Sequence, residues 1–116
     1  MAKSLFDIRD DLRRFAAERD WEQFHSPKNL AIALNVEAAE LLEHFQWLAD
    51  ELSTKFPPEK IAKVREEMAD VLLYLVRLAD KLDVDLLAAA EDKIELNAKR
   101  YPVDKARGIS RKYTEL

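Results

Sequence analysis

Apolar residues recur every three or four positions along most of the chain, and the breaks between these stretches divide it into four helices. The first helix is predicted over about residues 4–20, with Leu5, Ile8, Leu12 and Phe15 as its stripe. A short connector, Trp21 to His25, leads to Ser26-Pro27, an N-cap residue followed by proline at the first helical position. The second helix runs from there to about residue 52. Pro57-Pro58 opens the third, over about residues 59–82. Asp83 or Asp85 caps the fourth, which continues to about residue 100 before Pro102 stops it. The expected fold class is all-α, a four-helix bundle-like protomer.

Two interruptions of this pattern carry chemistry. On the second helix Leu30, Leu34, Leu41, Phe45 and Leu48 form one stripe, and Glu37 stands in its middle where a leucine belongs. Glu40 lies at its edge, near His44 and Trp47. The third helix is apolar around most of its circumference, through Ile61, Val64, Met68, Val71, Leu75, Leu78 and Leu82 with Leu72, Leu73 and Val76. Its remaining polar strip holds Glu67, Asp70, Tyr74 and Arg77. A helix so apolar is expected to be covered on several sides, as in an oligomer.

Glu37-Ala-Ala-Glu40 and Glu67-Met-Ala-Asp70 each place two carboxylates on one helical face. One such pair is common on solvated helices. Two, each set in an apolar stripe, imply a shared cation, because close buried carboxylates are costly without one. The donors are hard oxygens and the chain has no cysteine, which favours Mg²⁺ or Mn²⁺ over Zn²⁺. A di-iron bundle would need Glu-x-x-His on two helices, and His44 follows Glu40 by four positions rather than three.

The fourth helix sets Lys93, Asn97 and Tyr101 four apart on the face of Leu86 and Ala90, with Arg100 alongside. Polar groups there suit an anionic ligand rich in acceptors. Trp21 and Trp47 are the two tryptophans; either could be core, and either could wall a base-stacking site near the metal. His25 shares the connector with Trp21 and is either a turn histidine that satisfies backbone groups or a contact to a ligand.

Composition narrows the class. With 116 residues, one glycine, 48% hydrophobic and 36% charged residues, the chain reads as one globular helical domain. A net charge of −4 argues against nucleic acid as the main partner. No apolar run suits a signal peptide or a membrane span, and the absence of cysteine fits a reducing, cytoplasmic setting. Residues 1–103 are expected to form the domain. Residues 104–116, with Lys105, Arg107, Arg111 and Lys112, are expected to form a basic, mobile tail.

The block from Arg19 through Leu30 (RDWEQFHSPKNL), the two carboxylate pairs, Phe45-Gln46-Trp47 and the run from Asn97 to Pro102 (NAKRYP) together resemble the MazG-like all-α nucleoside triphosphate pyrophosphohydrolases, closest to their dCTP pyrophosphatase branch. The resemblance covers about residues 5–102. It implies Mg²⁺-dependent cleavage of a deoxynucleoside triphosphate, dCTP or a modified dCTP, to monophosphate and pyrophosphate in nucleotide-pool house-cleaning. It assigns the metal to Glu37, Glu40, Glu67 and Asp70, and the base to Trp21 and Trp47. Residues matching Lys93, Asn97 and Tyr101 face sugar and phosphates, and Tyr74 matches a site tyrosine; in such a reaction Lys93, with Arg100, would offset charge developing on the phosphate oxygens. It further implies a homodimer or homotetramer with sites completed across subunits. Related members carry a histidine where this chain has Leu12. Another base preference (dUTP or a damaged nucleotide), or a helical oligomer that binds nucleotide without turnover, stays open on the residues.

Overall fold

A computed structural model describes residues 3–116. The chain is all-α, with no strand among the described residues: α1 (Leu5–Glu18), α2 (Pro27–Glu43), α3 (Pro58–Lys81), α4 (Leu86–Arg100) and a single turn, α5 (Val103–Ala106). It divides into two compact units, one ending at Asp83 and the other spanning Val84–Leu116.

In the first unit, α3 packs against both α1 and α2. Ala16 of α1, Leu30 of α2, and Val64, Val76 and Ala79 of α3 are its buried apolar residues. The ends of the helices follow from local chemistry. Ser4 and Asp7 form a reciprocal capping box at the start of α1. Ser26 Oγ accepts from the Asn29 backbone N–H at 3.1 Å, with Pro27 at the first position of α2 as predicted.

The end of α1 matters most for the site. Asp20 takes a left-handed conformation (φ 54°), a geometry that Asp tolerates better than most residues. The Trp21 N–H bonds to Ala16 O at 2.9 Å and the Asp20 N–H to Ala17 O at 3.2 Å. This is a Schellman turn, whose signature is an apolar contact between the residue after the turn and the last helical turn. Here that contact is Trp21 on Phe15, edge to face, with ring centroids 5.7 Å apart.

One boundary differs from the sequence expectation. The second helix ends at Glu43, not near residue 52. Residues 44–48 wind on through shorter turns, with Phe45 N–H on Leu42 O and Leu48 N–H on Phe45 O, both at 2.9 Å. Phe45 meets Phe56 with ring centroids 5.1 Å apart. That contact, eleven positions apart, lies just beyond the end of the helix. Trp47 therefore does not continue the α2 face; it projects from the turn, 88% exposed.

In the second unit, Asp85 caps α4 by accepting from the Ala88 N–H at 3.1 Å. Beyond α5, Tyr113–Glu115 form a 3₁₀ turn. Tyr113 packs edge to face on Tyr101, and the Arg100 guanidinium lies 4.5 Å from the Tyr113 ring centre.

Candidate functional site

Glu37 on α2 and Glu67 and Asp70 on α3 each place a carboxylate oxygen within 4.8 Å of the others. The i, i+3 spacing of Glu67 and Asp70 puts both on the side of α3 that Glu37 faces. Oε2 of Glu37 and Oε2 of Glu67 are buried and have no hydrogen-bond partner. Buried acceptors left unpaired are rare and costly. Two of them, facing a third carboxylate, fit a divalent cation held by hard oxygens.

The electrostatics agree. Burial pushes the Glu37 carboxyl up to about 7, reinforced by Glu40 and then by Asp70 and Glu67. Burial likewise raises Glu67, with Glu40 the next cause. Glu40 thus presses on both neighbours, although the tight cluster consists of the other three. His44 Nε2 stands 3.9 Å from Glu67 Oε1.

Beside this cluster is a cavity of about 270 Å³. Leu12, Phe15, Ala16, Trp21 and Leu73 make its apolar walls, and His25, Asp70, Tyr74 and Arg77 its polar ones. Asp70 belongs to both the cluster and the cavity. Trp21 reaches the wall through the Schellman turn and also meets His25, with ring centroids 6.4 Å apart. Tyr74 and Arg77 follow Asp70 by four and seven positions on the polar strip of α3.

Beneath this wall an alternating set of charges joins three segments. Arg13 Nε of α1 donates to Asp80 Oδ2 at 2.8 Å. Arg77 pairs with Asp80 and with Glu22 of the connector, and Glu22 pairs with Lys81. Lys81 and then Arg77 hold Glu22 below the usual carboxylate range, and Arg13 does the same for Asp80.

Of the predicted residues, Glu37, Glu67 and Asp70 come together with Glu40 beside them, and Trp21, His25 and Tyr74 meet at the cavity. Trp47 does not line it. Lys93, Asn97, Arg100 and Tyr101 belong to the second unit; Lys93 and Asn97 are exposed on α4, Arg100 ends it and Tyr101 caps it. Sequence reasoning had not placed Phe15 and Leu73 at the site, having assigned both to apolar stripes. Arg77 could have been found, since it lies on the polar strip one turn beyond Tyr74.

Acidic side chains from two helices, converging beside an aromatic cavity in an all-helical chain, define an all-α protein with a site suited to a divalent cation. A family model for the MazG-like family matches residues 32–116. The chain is 51% identical over 115 residues to dCTP pyrophosphatase 1 of Homo sapiens and 50% identical to that of Mus musculus, covering in each case 97% of this chain and 68% of the relative. A pyrophosphatase from Archaeoglobus fulgidus DSM 4304, of known crystal structure, is similar with a TM-score of 0.81 and 37% identity over 88% of this chain and 95% of that one. The chain belongs to the MazG-like family.

Proposed function

We propose that this protein is a nucleoside triphosphate pyrophosphohydrolase that cuts dCTP, or a modified dCTP, to the monophosphate and pyrophosphate. The relatives named dCTP pyrophosphatase support the substrate. The observation that carries the reading is Asp70, a member of the carboxylate cluster that also lines the aromatic cavity. A cation and a base held on either side of one residue are what a nucleotide requires.

Glu37, Glu67 and Asp70, with Glu40 adjacent, would hold Mg²⁺, or Mn²⁺ in its place. Bound there, the ion neutralises triphosphate charge and lowers the pKa of water. The chain's own residues do the rest. Trp21, backed by Phe15, stacks on the base. His25 and Tyr74 supply polar contacts at the cavity wall. A carboxylate of the cluster takes the proton of the water that attacks the α-phosphorus as pyrophosphate leaves. The sugar and phosphates are assigned to Lys93, Asn97 and Tyr101 by the family resemblance and by their shared face of the fourth helix, and Arg100 is its neighbour there. The setting is cytoplasmic nucleotide-pool house-cleaning, which a chain without cysteine suits; no described helix is long and apolar enough to cross a membrane.

The test is a panel of deoxynucleoside triphosphates with Mg²⁺, read for monophosphate and pyrophosphate. dCTP is expected to give dCMP and pyrophosphate faster than the other three common substrates are cut. Release of orthophosphate, or nucleotide binding without product, overturns the reading.

The active form is a homodimer or homotetramer. Ile32 and Val36 on α2, and Met68, Leu72 and Leu75 on α3, are between 36% and 58% exposed, more apolar surface along two helices than a lone chain ordinarily leaves in water. Sedimentation equilibrium at micromolar concentration is expected to give two or four times the chain mass of 13.5 kDa. A monomer there removes this part of the proposal.

A further inference from the structure

Arg77 is the one charged side chain buried among the described residues, 4% exposed, and it lines the cavity beside Asp70 and Tyr74. A buried arginine next to a triphosphate site would ordinarily be taken for a phosphate ligand. Its bonds indicate another task. Nε donates to His25 Nδ1 at 3.1 Å, Nη1 meets Asp80 Oδ2 at 3.4 Å, and Nη2 pairs with Glu22. Each guanidinium nitrogen already has a protein partner. Asp80 and Glu22 are in turn held by Arg13 and Lys81, so the arginine is gripped from both sides.

The bond to His25 has a chemical consequence. Arginine nitrogens only donate. His25 Nδ1 must therefore accept with a lone pair, and a ring that accepts there is neutral and carries its proton on Nε2. The polar atom that His25 has left for a ligand is then a donor.

We propose that Arg77 is a positioning residue that locks His25 in the Nε2–H tautomer, so that the cavity offers the base a fixed hydrogen-bond donor at His25. The ligand in this proposal rests on the nucleotide hydrolase reading, whereas the tautomer rests on geometry alone. A fixed donor selects a base whose facing edge accepts. Cytosine has acceptors at O2 and N3. Set opposite N3, the donor meets a lone pair on cytosine but a hydrogen on uracil, whose own acceptors, O2 and O4, lie to either side. Freed from Arg77, His25 could exchange tautomers and accept from uracil N3–H.

Two histidines in the chain make the ring nitrogens tractable by nitrogen-15 NMR, with His25→Asn to assign the signals. In the full-length protein near pH 7.5, without nucleotide, His25 is expected to show the Nε2–H pattern, and Arg77→Met a mixture of tautomers. Arg77→Met with Glu22→Gln also removes a carboxylate that has lost its arginine, and serves if the single variant folds poorly. With substrate, the ratio of kcat/KM for dCTP over dUTP is expected to fall about tenfold in either variant, the scale of one hydrogen bond. A merely structural loss would lower both substrates together and leave the ratio alone. An Nδ1–H or doubly protonated pattern in the wild type, an unchanged pattern in the variants, or an unchanged ratio overturns the proposal. Failure of the wild type to cut either nucleotide would refute the functional reading instead, and the tautomer spectrum would still decide the role of Arg77.

Discussion

Glu37→Gln is expected to lose roughly 100- to 1,000-fold in turnover while making the metal-free protein more stable. Both effects come from the same crowding. Glu37 has a buried, unpaired oxygen, and burial with nearby carboxylates raises its pKa from an ordinary 4.5 to about 7. The folded state thus binds this proton more tightly than the unfolded chain does. Stability from the group is present below the unfolded value and is lost as pH rises through the folded one. This contribution to the melting temperature of the metal-free protein should therefore be lost between about pH 5 and pH 8, while His25, held below the ordinary histidine value by burial, acts in the opposite direction. Glu67, raised by burial and by Glu40, acts in the same direction as Glu37. The Gln variant should show a flatter profile and melt on the order of 5 °C higher near pH 8. Adding Mg²⁺ at that pH should raise the wild type more than the variant, because a ligand stabilises the state that binds it. Thermal melts with and without chelator, beside the turnover assay, check this. Normal hydrolysis by the variant with Mg²⁺ present, or a pH profile of stability that variant and wild type share, would sink the assignment of the cluster.

Trp21→Ala should raise KM for the nucleotide by about 10- to 100-fold, with a smaller change in kcat, since stacking on an aromatic contributes about 1–3 kcal/mol. Trp21 is 43% exposed, and one edge is fixed by Phe15, so the ring is held in place yet open to a ligand. Trp21→Phe keeps a stacking face and should recover much of the loss. Steady-state kinetics on the three proteins separate binding from chemistry. An unchanged KM in Trp21→Ala would place the base elsewhere.

The carboxylate cluster was legible because its logic is local. Glu37 interrupts an apolar stripe, and the i, i+3 spacing fixes where Glu67 and Asp70 point. The cap at Ser26, and Asp85 as one of two candidates for the fourth helix, were readable for the same reason. Trp47 was not. The segment from His44 to Leu48 has no glycine or proline to announce the end of α2, and the contact of Phe45 with Phe56 just beyond it follows no helical period. The bond from Arg77 to His25 joins positions 52 apart, and no periodicity encodes it. Phe15 read as core because an apolar residue on a helical stripe looks the same whether it packs against protein or lines a ligand cavity.

Along α3 the parts of the site occur in a fixed order: Glu67 and Asp70, then Tyr74, then Arg77. A helix advances 1.5 Å per residue, so Glu67 and Arg77 lie roughly 15 Å apart along one rod. The rod acts as a gauge. It sets the distance between the carboxylates suited to a cation and the arginine that holds His25. An inserted residue between Asp70 and Arg77 would turn one end of the gauge by about 100° against the other.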